Sequence, residues 1–102
     1  MSVPGPTPAR PDPHVQFNQS INLFEESFDK MQTAEFHEKK DQYIKVMNET
    51  LTVMQDTANA MLNKHLLEMK AMLAKDLNHY LDNPSEVNKQ KVQADIDSLK
   101  NS

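Results

Sequence analysis

After residue 5 this chain contains no glycine; its only one is Gly5, near the N-terminus. Glycine supplies the positive-φ positions of tight hairpin turns and the bare backbone of phosphate-cradling loops. A strand-rich fold is therefore poorly served over almost the whole chain. A P-loop and a glycine-rich dinucleotide fingerprint are excluded outright.

Proline is confined almost as sharply. Pro4, Pro6, Pro8, Pro11 and Pro13 fall within the first 14 residues, and only Pro84 lies beyond them. Each fixes φ, lacks an amide donor and pushes its predecessor out of the helical region. Residues 1–14 are expected to form a disordered, proline-rich arm, with Pro8 and Pro11 as a single P-x-x-P pair. The helical domain is expected to occupy 15–102.

From Val15 the pattern becomes helical. Phe17, Ile21, Phe24, Phe28 and Met31 recur at alternating spacings of 4 and 3, an apolar stripe at the heptad period. This predicts a first helix over about 15–32. The polar stretch from Gln32 to Gln42 loses that phase, and the apolar series restarts at Ile44. Met31 and Ile44 are thirteen residues apart, where an unbroken heptad places fourteen. Either the helix breaks near Thr33, a suitable N-cap, or it continues with its buried face rotated; the break is the leading expectation.

The second helix is expected to be long, about 34–82. Ile44, Met47, Leu51, Met54, Ala58 and Met61 continue the 3,4 spacing, and a second stripe of Leu62, Leu66, Met69, Leu73 and Leu77 overlaps its end. The change of phase resembles a stutter, which relaxes a coiled coil locally. Such a helix would run roughly 70 Å. Asp82-Asn83-Pro84 stops it. Asn83 as N-cap, Pro84 at N1 and Glu86 as capping-box partner predict a third helix over about 84–100, with Val92, Ile96 and Leu99 on its narrow apolar side. The expected fold is all-α: an elongated helical hairpin or three-helix bundle built around one long central helix, with coiled-coil-like packing.

The two short helices leave part of a 70 Å helix uncovered. A second copy or a partner helix is expected to cover Ile44, Met47, Leu51, Met54, Met61, Leu62, Leu66, Met69 and Leu73, the candidate partner-binding residues. Six internal methionines suit a face that adapts to more than one neighbour.

Chemistry finds little footing. There is no cysteine, so disulfides, zinc-thiolate sites and thiol catalysis are excluded. Ser, His and Asp occur without a nucleophile elbow. Asp76 and His79 have the spacing of half a di-iron motif, but no second pair accompanies them. Met61, His65, Met69 and Met72 share a helix face and form a soft donor set of the kind that holds Cu(I); a Met-rich packing face explains the same residues. No cofactor, resident metal or small-molecule substrate is expected, and the chain is read as non-enzymatic. A net charge of −4, with Lys39 and Lys40 interrupted by acids, argues against nucleic acid as a partner. No apolar run reaches the length of a membrane span. Cytoplasmic synthesis is the default expectation, with signal-less secretion as the other route.

The Asn83-Pro84-Ser85 turn between helices, behind a proline-rich N-terminus, resembles the small helical-hairpin components of bacterial type III secretion systems over about residues 62–99. That resemblance implies a secreted or assembly-forming helical subunit. The chain departs from the needle subunits of those systems in lacking the long apolar C-terminal helix through which they polymerise. The leading expectation is an oligomerising adaptor, chaperone or assembly subunit; a secretion component and a Met/His metal-handling protein are the alternatives.

Overall fold

The structure, a computed structural model, describes residues 12–102. Residues 1–11, most of the expected proline-rich arm, lie outside that range. The arm's last residues belong to the first helix instead. Asp12 is the N-cap of α1 (Pro13–Thr33), its side chain accepting the His14 N–H at 2.9 Å, and Pro13 occupies the first turn. Proline is tolerated there because its missing amide proton would have no intrahelical acceptor.

Four helices follow one another among the described residues, where three were expected. After α1 come α2 (His37–Ala60), α3 (Lys64–Asp82) and α4 (Glu86–Lys100). No strand occurs among the described residues. The break between the first two helices falls at residues 34–36, close to the expected position, and its N-cap is Phe36 rather than Thr33. Thr33 ends α1 and its hydroxyl donates back to the Lys30 carbonyl at 3.2 Å.

The long central helix over 34–82 is corrected. A helix of that length would exceed the molecule, whose longest extent is 58 Å. It divides at Met61-Leu62-Asn63 without glycine or proline. The Asn63 N–H reaches the Ala58 carbonyl and the Leu62 N–H reaches Asn59, both at 3.0 Å, the paired bonds of a Schellman termination. Leu62 holds the left-handed position at φ 54°, where glycine is usual. For a residue with a Cβ this costs about 1–2 kcal/mol. Asn63 then caps α3 by accepting the Leu66 N–H at 3.1 Å.

The last turn is also rearranged. Asn83 ends α3, its N–H bonding to the His79 carbonyl at 2.9 Å, and Ser85 rather than Asn83 caps α4 by accepting the Asn88 N–H at 3.1 Å. Pro84 keeps Asn83 out of the helical region, which ends α3 there; Ser85, extended at φ −96° and ψ 162°, takes the cap of α4.

Each helix packs on its neighbours in sequence, and α4 closes the ring by packing on α1. The α1–α2 pair is the most extensive contact. Its buried residues recur at heptad spacing on both sides: Phe17, Phe24 and Met31 with Ser20 and Ser27, facing Met47 and Met54 with Thr50 and Thr57. Buried hydroxyls would be orphaned in such a seam, but Ser20 donates to Gln16 O at 2.9 Å and Thr57 to Val53 O at 2.8 Å. The ring encloses one core from Phe17 to Leu99. Across its diagonal, Tyr80 of α3 meets Phe28 of α1 edge-on, ring centroids 5.2 Å apart. Glu25 of α1 fastens α4 from outside. It accepts hydrogen bonds from Gln93 at 2.9 Å and from the Lys100 ammonium, and the Lys100 bond holds its carboxyl below the usual range.

Candidate interaction surface

The stripe that the sequence offers to a partner lies mostly inside the molecule. Met47, Leu51, Met54, Leu66 and Leu73 are buried in the chain's own core. Ile44, Met61 and Met69 are half-buried against it. The reason is the break at Leu62. With α3 folded back, the two apolar stripes no longer need two outside neighbours, because both face the interior that α1 and α4 complete.

Only Leu62 of the nine stands in solvent, 89% exposed. A second residue, outside both apolar stripes, matches it. Phe36 is 69% exposed and occupies the N-cap of α2, where its side chain makes no capping bond. Both boundaries of α2 thus carry large apolar residues where Ser or Asp, and Gly, are the ordinary choices. Local rules of this kind are broken chiefly where another requirement outweighs them. Phe36 was visible in the sequence as a lone aromatic within a polar run, but periodicity gives such a residue no role.

Beside Phe36, the helix following it contributes His37 and Ile44 to a groove of about 270 Å³. Met31 of α1 and Tyr80, Leu81 and Pro84 from the α3–α4 end supply the rest of its apolar lining, and Gln32, Lys40 and Asp41 its polar walls. Burial pushes the Tyr80 phenol above its ordinary value, with the Glu86 carboxylate adding to the effect. Val87, 63% exposed, lies just beyond Pro84 in the chain.

A larger open groove, about 650 Å³, runs between the start of α3 and the end of α4. His65, Met69 and Met72 line it together with Glu68, Asp95 and Asp97, whereas Met61 is not among its walls. Among the described residues no three His, Asp or Glu side chains gather as a metal-ligand set. His79 is exposed, and Asp76 is half-buried next to Asp95.

Asp95 is the unusual group here. Burial, and then the neighbouring Asp76 carboxyl, raise it from 3.8 to about 7. Its Oδ2 is buried with no hydrogen-bond partner. Two ionised carboxylates have no proton to share, so an oxygen between them is orphaned. One proton held between Asp76 and Asp95 satisfies it and removes the repulsion. The pair joins α3 to α4 across nineteen positions of sequence, a juxtaposition that no local spacing reveals.

Compared with protein-family models, with curated proteins and with solved structures, the chain matches none. No helix among the described residues is long and apolar enough to cross a membrane.

Proposed function

We propose that the chain is a helical protein–protein interaction module of the adaptor, chaperone or assembly-subunit kind, and that it meets its partner at the Phe36 end of the bundle. The observation that carries the reading is Phe36 itself. An aromatic side chain is held in solvent at a helix start where it neither caps the helix nor joins the core, and the next residue, His37, lines a groove of mixed apolar and polar walls. Burying such a ring contributes about 1.5–3 kcal/mol, which the isolated chain forgoes. A partner segment that lays an apolar side chain over Ile44 and Leu81 while covering Phe36 would recover it. An amphipathic helix is the natural form of that segment.

The test is Phe36→Asp. Aspartate at an N-cap stabilises a helix by about 1 kcal/mol relative to a residue that cannot cap. The variant should therefore melt at a higher temperature than the wild type. It should also fail to retain proteins that the wild type holds when both are used as bait in the native cell extract. A variant that holds the same proteins with undiminished yield overturns the reading.

A further inference from the structure

The same chain that folds back at Leu62 carries no residue that obliges it to. From His37 to Asp82 there is neither glycine nor proline. The turn is made by Leu62 in the left-handed region, the only residue with positive φ among those described. Its side chain is almost wholly exposed, so no contact of its own offsets the backbone strain, which the packing of the helices on either side must outweigh. If residues 61–63 became helical, the strain would vanish. The amides at the start of α3 that Asn63 does not cap would also regain intrahelical acceptors.

We propose that residues 61–63 are a hinge through which two copies of this chain exchange their α3–α4 hairpins. In the open form, α2 and α3 become one helix over 37–82. Opening separates α3–α4 from α1–α2 and uncovers Phe28, Met47, Leu66, Leu73 and Ile96, all buried in the closed chain. The surface that fits each of these faces is the one it has just left. A second copy in the same open state supplies it, with every buried contact reformed between chains. What differs between the two states is confined to the hinge and to the entropy of association. The closed monomer prevails in dilute solution, and the exchanged dimer gains with concentration. The two apolar stripes that overlap near Met61 belong to helices facing two different bundles in the dimer, so the change of phase in the sequence is compatible with a continuous helix.

Two substitutions push the hinge in opposite directions. Leu62→Gly accepts the left-handed position without strain and disfavours a continuous helix, so it should hold the chain monomeric. Asn63→Ala removes the cap of α3 and favours helix through the junction. Two hinges open per dimer, so Asn63→Ala should raise the dimerisation constant by on the order of 10- to 100-fold, and Leu62→Gly should lower it comparably. Light-scattering mass measured over a concentration series, after cycling through the melting transition, reads both.

A dimer alone does not prove exchange, so geometry is measured too. The chain has no cysteine, and Lys45 and Lys75 are exposed on α2 and α3. Lys45→Cys and Lys75→Cys in one chain, spin-labelled and mixed with a large excess of unlabelled chain, report only intrachain distance. The pair should lie about 45 Å apart along a continuous helix, against a short distance across the closed hairpin. A dimer of Asn63→Ala with the short distance alone overturns the exchange. So does a strictly monomeric Asn63→Ala with intact helical circular dichroism. Should that variant lose its fold, wild type concentrated and cycled in the same way provides the reading, and monomer with only the short distance overturns the proposal.

Discussion

Replacing Asp95 by asparagine should flatten the dependence of stability on pH. In the folded chain the Asp76–Asp95 pair keeps a shared proton up to about pH 7, whereas Asp95 in the unfolded chain releases it near 3.8. The folded state therefore binds more protons between those values, and stability falls as pH rises through them. The contribution is complete below about pH 4 and lost above about pH 7. The full separation of the two values corresponds to about 4 kcal/mol. Asp95 is only partly buried, and solvent screens the pair, so an effect of about 1–2 kcal/mol is expected. His65 and Glu68 of α3 and Asp97 of α4 line the same groove as Asp95 and are unchanged in the variant. The difference between wild type and variant isolates the pair. An asparagine amide can donate to Asp76 at any pH, in place of the shared proton. Urea denaturation at pH 5 and pH 8 is the assay. Asp95→Asn should nearly equal the wild type at pH 5 and exceed it at pH 8. An equal slope in the two proteins, or a wild type more stable at pH 8 than at pH 5, would refute the reasoning.

Other outcomes follow from the same structure. Leu62→Gly should raise stability by about 0.5–1 kcal/mol, the left-handed strain relieved less the added freedom of the unfolded chain, as read by thermal melting. Leu66→Glu should abolish helical circular dichroism instead of merely dissociating an oligomer, because Leu66 faces the chain's own core. Phe28→Ala removes the ring that Phe24 and Tyr80 pack against and should cost about 3–5 kcal/mol in urea denaturation.

The all-α class and the outer limits of the helices were legible in one dimension. Apolar spacing near Phe17–Met31 and Ile44–Ala58, the slip of one residue between them, and Pro84 all act locally, through the helical repeat or the backbone of an adjacent residue. The slip marked a real boundary, and residues 34–36 provide it. The division of 37–82 had no such local cause. Continuous helix and Schellman turn use the same residues at Met61-Leu62-Asn63, and only burial of both stripes against α1 and α4 outweighs the strain at Leu62. That choice turned Met47, Met54, Leu66 and Leu73 from an outward face into core. It also brought Asp76 beside Asp95, Glu25 beside Lys100 and Phe28 beside Tyr80. Helical periodicity records which side of a helix is apolar; whether that side meets its own chain or another is settled by the summed burial of distant residues, which no local pattern contains.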